Sequence, residues 1–149
     1  MKNNDFQHIL KWADRALSAC FALSFLLIAI LSARSSLLSF GKLILLTALP
    51  FFLVTFLRHF FARKRPYQKN GGIAPRRGEN DSFPSRHAFS AFLIAMTAFS
   101  VKSLFAYLLL PLAILLSVLR VLRGIHYPED VVFGGFLGVF FGTICLVLL

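Results

Sequence analysis

The sequence has little acid in it. Six Asp and Glu stand against sixteen Lys and Arg, for a formal charge of +10, and only 15% of the 149 residues carry charge. So few charges exclude a solvated, disordered chain. So short a chain cannot bury its 58% of hydrophobic residues inside a soluble globule. The length suits one domain. Cys20 and Cys145 are too few and too far apart for a disulfide framework or a metal cluster, and both lie in apolar runs that suit helix packing. Carboxylates form no cluster fit for Mg²⁺, and two well-placed histidines fall short of a zinc site. What is abundant is Phe, at 18 positions, together with long uncharged runs. The composition is that of an integral membrane protein.

Five apolar stretches read as spans: Ala16–Ser32, Leu43–Leu57, Ala88–Val101, Leu104–Leu119 and Val131–Leu149. Several are shorter than the roughly 20 residues a spanning helix needs, so their ends should run into the polar flanks. Arg58–Lys64 is expected to prolong the second helix until Pro66 stops it, and Arg120–Arg123 to cap the fourth. In Met1–Asp14, the apolar Phe6, Ile9, Leu10 and Trp12 interleave with Lys2, Asp5, Lys11 and Asp14. That pattern fits a short interfacial helix anchored by Trp12, or a frayed terminus. Asn70-Gly71-Gly72 and Pro75 mark an irregular loop. Pro50 and Pro111 should kink helices two and four. Pro128 suits the first turn of the last helix, with Glu129 and Asp130 favoured by its dipole. Gly134, Gly135, Gly138 and Gly142 form a small-residue face for helix packing. The expected fold is all-α: a polytopic membrane helix bundle of about five transmembrane helices plus the N-terminal interfacial helix, in a single domain over residues 1–149.

With five spans, all basic residues except Arg34, Lys42 and Lys102 fall on one side of the membrane. The positive-inside rule would make that side cytoplasmic. A basic collar on anionic lipid is one reading of it, and a phosphate site is the other. No nucleic-acid module accompanies the charge. Three clusters on this side carry chemistry. In Arg58-His59-Phe60-Phe61-Ala62-Arg63-Lys64-Arg65-Pro66, Arg58 and Arg65 are seven apart, and on a helix they would share a face about 10 Å apart along the axis. Two guanidiniums so placed can grip one phosphate. In Ser82-Phe83-Pro84-Ser85-Arg86-His87, a hydroxyl and the first N–H groups of a helix make an anion seat, with His87 two residues behind Ser85. In Arg120 to Asp130, the Asp130 carboxylate can take the N–H of His126 across a proline turn and leave the other ring nitrogen free to attack. Arginines can neutralise the charge that develops in such a transfer, so the set works without a metal.

At these residues the sequence resembles the type-2 phosphatidic acid phosphatase family, integral-membrane relatives of vanadium haloperoxidases. The family pattern is Lys-x6-Arg-Pro, then Pro-Ser-Gly-His, then Ser-Arg-x5-His-x3-Asp. Here it reads Arg58-x6-Arg65-Pro66, Pro84-Ser85-Arg86-His87 and Leu119-Arg120-x5-His126-x3-Asp130. The resemblance covers roughly Arg58 to Gly138. It implies that His126 is a nucleophile that becomes phosphohistidine, that Asp130 orients it, and that His87 protonates the leaving oxygen and then activates water. It implies that Arg58, Arg65 and Arg120 hold the phosphate, with Ser85 and the Arg86 backbone N–H completing the cradle. Residues 58–87 then form a catalytic loop and 119–130 a second catalytic segment, beside the 1–14 interfacial segment. Arg58, Arg86 and Leu119 depart from the pattern, where the family has Lys, Gly and Ser.

The expectation is a metal- and cofactor-independent phosphatase acting on a membrane lipid phosphate such as undecaprenyl diphosphate, phosphatidylglycerol phosphate or phosphatidic acid. A non-catalytic lipid-phosphate-binding protein and a phosphotransferase using the same intermediate are the alternatives. The expected partners are the lipid substrate and the bilayer, with no nucleic acid. The resemblance places this multi-pass protein in the cell membrane with its active site on the extracytoplasmic face, against the plain charge count.

Overall fold

The computed structural model describes residues 2–69, 82–101 and 104–149. They fold into five long helices and one short turn: α1 (Lys2–Ser35), α2 (Leu37–Phe61), α3 (Pro66–Lys69), α4 (Arg86–Ala98), α5 (Ala106–Leu122) and α6 (Pro128–Leu148). Among the described residues there is no strand. The expected loop at Asn70, Gly71, Gly72 and Pro75, the basic pair Arg76 and Arg77, and Lys102 lie outside the described residues.

Each expected span has its helix. α1, α2 and α6 are long and apolar enough to cross a membrane, and α5 is a shorter apolar helix. Leu23, Leu49, Phe52, Leu108, Ile114 and Phe136 are exposed on the outside of the bundle, where hydrocarbon rather than water is the matching solvent. α4 differs. Its 13 residues reach only about 20 Å, against a hydrocarbon core of about 30 Å. It packs against α1, α2, α5 and α6, with Ala88, Phe89, Ala91, Leu93, Ala95, Thr97 and Ala98 buried. Alanines on α4 and α5 let these helices approach closely, joined in the core by Phe21 and Ile28 of α1 and Leu43 of α2.

The glycine face of α6 packs on α4, as its spacing suggested. A methyl group at Gly134 would come within 2.5 Å of the Ser85 carbonyl oxygen, and one at Gly138 within 2.5 Å of the Phe89 oxygen. α6 can therefore lie against the α4 backbone only because these side chains are missing. Cys145 is buried in the same region, and both cysteines are free thiols.

Two expectations need correction. Residues before Asp14 do not form a separate interfacial helix but continue without a break into the first span as α1. Trp12 is exposed, with the Arg15 guanidinium 5.6 Å from its ring centre, while Leu10 and Asp14 are buried. α2 also stops earlier than expected. Ala62 adopts a left-handed conformation (φ 42°) and its N–H donates to the Arg58 oxygen at 3.0 Å, a helix-ending turn. Arg63, Lys64 and Arg65 therefore leave the helix, and Arg58 and Arg65 share no helical face. α2 and α5 both run on through Pro50 and Pro111.

The alternating helices bring the C-termini of α2 and α5 and the N-termini of α4 and α6 to one end of the bundle. At the other end Lys42 Nζ lies 3.5 Å from the Leu148 oxygen, near a cavity of about 230 Å³ lined by Ser32, Ser35, Ser39 and Ser100.

Candidate active site

The turn between α5 and α6 places the expected nucleophile. Arg123 ends α5, and Gly124 follows at φ 66°, a left-handed position that suits glycine. The chain folds back so that the N–H groups of Ile125 and His126 both donate to the Arg120 carbonyl, at 3.2 and 3.3 Å. Pro128 then opens α6. The Tyr127 N–H donates to Asp130 Oδ2 at 2.9 Å, so the acid caps the helix in whose first turn it sits. Asp130 is fully buried and His126 only 2% exposed, with His126 Nδ1 3.5 Å from Asp130 Oδ2. That separation is at the outer edge of a hydrogen bond, and catalytic bonds of this kind often tighten only around substrate.

The carboxylate has more partners than the spacing indicated. Ser82 Oγ donates to Oδ2 of Asp130 in a short hydrogen bond. Arg63 Nη1 reaches Oδ1 at 3.1 Å and Glu129 Oε2 at 2.9 Å, its guanidinium 4.4 Å from the Tyr127 ring centre. The bond to Glu129 is the chief reason the Arg63 pKa is raised above its ordinary value. The segment before α4 is tied to the same residue through its backbone. The Ser85 N–H donates to the Asp130 carbonyl at 2.9 Å, and the Ser82 N–H donates to the Arg63 oxygen at 2.7 Å. Arg58 Nη1 donates to the Pro84 carbonyl at 3.0 Å. The end of α2, the start of α4 and the start of α6 are thus one hydrogen-bonded unit.

All eight expected site residues fall at this end. Ser85 is buried and caps α4, its hydroxyl 3.5 Å from the Ala88 N–H. Arg120 is buried on α5 and pairs with Asp14 of α1, Nε to Oδ1 at 2.6 Å. Arg86 and His87 form the first turn of α4 and line a cavity of about 380 Å³ with Ser18, Phe51, Ser90 and Ile94. The charges of Arg120, Arg86 and Arg58, and the ring of His126, are close enough to act on the His87 imidazole. Arg65 and Arg58 act likewise on His126. Burial is the main influence on His126 and lowers its pKa from an ordinary value near 6.5, against the pull of Asp130. The ring is therefore neutral at neutral pH, as a nucleophile must be. Among the described residues, no group of three or more His, Cys, Asp and Glu is arranged to hold a metal ion.

The motif spacing gives Ser82 no role, and it does not mark Arg63 or Asp14 as partners of these residues. Ser82 stands in the same short motif as Ser85 and His87, which was the available signal. Asp14 carried none, since its partner Arg123 is 109 residues away.

Comparison with known proteins gives the family and the fold. The sequence matches the family model of the PAP2 superfamily over residues 16–149. The chain belongs to that superfamily. Among solved structures, it is similar to the crystal structure of a transmembrane PAP2-type phosphatidylglycerolphosphate phosphatase from Bacillus subtilis, with a TM-score of 0.71 at 22% identity. The match covers 94% of this chain and 74% of that one, and it shows that the two share a transmembrane PAP2 fold. No curated protein matches the chain significantly.

Proposed function

We propose that the protein is a metal-independent lipid phosphate phosphatase that works through a phosphohistidine on His126. The observation that carries this reading is the buried His126–Asp130 pair, set among arginines and near a second histidine at one end of a membrane bundle. In the first step, neutral His126 attacks phosphorus through Nε2 while Nδ1–H turns to Asp130, which stabilises the charge gained by the ring. The bond from phosphorus to the lipid oxygen breaks, and that oxygen takes a proton from His87; burial and the charges of Arg120, Arg86 and Arg58 disfavour a proton on this ring, and the negative phosphate held among them is what restores it. In the second step, His87 takes a proton from water, the hydroxide attacks phosphorus, and the bond to His126 breaks to release inorganic phosphate. Arg58, Arg65 and Arg120 hold the phosphoryl oxygens, with Ser85 and the Arg86 N–H completing the cradle.

The lipid class is supported by what lies beside the histidines. The cavity at Arg86 and His87 shares Phe51, Ser90 and Ile94 with a second cavity of about 310 Å³, lined by Phe25, Ile44 and Leu93. Together they offer a hydrocarbon chain an apolar path from the polar end into the bundle. The extracytoplasmic placement rests on the family resemblance, and the state of the arginines removes the charge count as an objection to it. Arg58, Arg63, Arg120 and Arg123 are held by Pro84, Asp130, Glu129 and Asp14, so they serve a site and do not count as free charges in the positive-inside rule.

The test is phosphate release from lipid phosphates by purified protein in detergent with EDTA present, together with acid-labile labelling of the protein by ³²P-lipid. His126→Ala should lose both, with turnover down at least about 10³-fold. Wild-type turnover in that variant would exclude the nucleophile. A reporter fused at Leu149 that proved extracytoplasmic would overturn the placement.

A further inference from the structure

α1 lies outside the motif-bearing part of the chain, yet it holds one of the phosphate-binding arginines. Asp14 is 4% exposed, a carboxylate taken almost wholly out of water. Its Oδ1 lies 2.6 Å from Arg120 Nε, and its Oδ2 pairs with Arg123 Nη1. One helical turn on, Ser18 Oγ accepts from Arg120 Nη2 at 3.4 Å. Nε and Nη2 form one edge of the planar guanidinium. α1 therefore meets that edge with two groups on one helical face, a close ion pair at Nε that is too oblique for a hydrogen bond and a long hydrogen bond at Nη2. Among the described residues Nη1 makes no hydrogen bond, which leaves it to a ligand. A buried carboxylate is costly unless paired, and the pairing here does more than neutralise. An unrestrained Arg side chain loses rotamer entropy when it grips a phosphate, whereas one already held does not.

The geometry points to Asp14 as a positioning residue that, with Ser18, presents Arg120 to the phosphate, so that α1 completes the phosphate site. This deepens the proposed function and rests on its assignment of Arg120. Asp14 touches no substrate and acts only through the guanidinium. The binding half of the idea can be read without turnover.

The experiment titrates inorganic phosphate into the purified full-length protein in detergent by calorimetry and measures kcat and KM on a lipid phosphate in parallel. Asp14→Asn keeps the shape and removes the charge. It should weaken phosphate binding about ten-fold, the scale of one charge-assisted hydrogen bond, with the loss in kcat/KM falling mainly on KM. Arg120→Lys should weaken binding by itself, because an ammonium has no edge for α1 to hold. In that background Asp14→Asn should cost less than two-fold more. A purely structural Asp14 would instead cost the same in both backgrounds, and that result overturns the inference. Phosphate binding within two-fold of wild type in Asp14→Asn overturns it as well. If Asp14→Asn does not fold, Ser18→Ala and Asp14→Glu replace it, and wild-type affinity in both sinks the idea. A wild-type protein that binds phosphate but hydrolyses no lipid phosphate would defeat the proposed function while leaving the role of Asp14 standing.

Discussion

The two ends of the bundle are built from similar apolar helices but treat charged groups in opposite ways. At the histidine end Asp14, Arg58, Ser82, Ser85, Arg120, His126 and Asp130 are all buried. At the other end the charged Arg34 and Lys42 are exposed, and the buried polar groups are neutral hydroxyls such as Ser32 and Thr97. Burying charge costs several kcal/mol per ion unless partners compensate. A bundle that only had to span a membrane would have no reason to bear that cost at one end. The asymmetry is what the proposed site at the histidine end requires, and substitutions should have very unequal effects at the two ends.

The largest effect is expected at the carboxylate. Asp130→Asn keeps the volume but cannot take up the charge of the attacking imidazole, and it loses the ion pair to Arg63. Turnover should fall about 10²- to 10⁴-fold, measured as phosphate release, with the helical circular dichroism unchanged. A loss under ten-fold would show that the buried pair is structural.

The pH profile sharpens the contrast next. His126 attacks only when neutral, so kcat/KM falls ten-fold per pH unit once the ring takes up a proton. Burial lowers its pKa from near 6.5, so the acid limb should lie below that value and activity should persist in mildly acidic buffer. A limb at or above pH 7 would contradict a buried, neutral ring.

A smaller effect comes from the packing that sets the site. Gly134→Val drives a side chain into the Ser85 carbonyl and should cost about 1–3 kcal/mol by overpacking, read as thermal unfolding in detergent. Because Ser85 is bonded to Asp130 through its backbone, activity should fall with stability. The least effect is expected at the far end. Lys42→Gln removes an exposed contact and should change stability by less than about 0.5 kcal/mol and activity not at all. A clear loss there would erase the distinction between the two ends.

Much of this was legible because hydrophobicity and spacing are local properties. Each apolar run became a helix, Pro128 began α6, and the glycines of α6 met α4 as their i, i+4 spacing required. His126 and Asp130 came together because a tight turn and a cap join residues four apart. The end of α2 departs from the sequence expectation for a physical reason. No glycine or proline marks Ala62, and its left-handed turn is held by contacts made further along, as when the Arg63 oxygen receives the Ser82 N–H. The hold of Asp14 on Arg120 and the bond of Ser82 to Asp130 were illegible for the same reason, since each joins groups far apart in the chain.

The order of residues alone determined that this chain enters a membrane as helices, and that its charge and its two motif histidines collect at one side. Those outcomes follow from solvent preference and from periods of a few residues, which every short stretch obeys by itself. Tertiary structure alone decided which arginine is held by which carboxylate, and that the first helix meets Arg120. Such pairings depend on distances between helices, and those are settled only when side chains and glycine gaps on separate elements pack together.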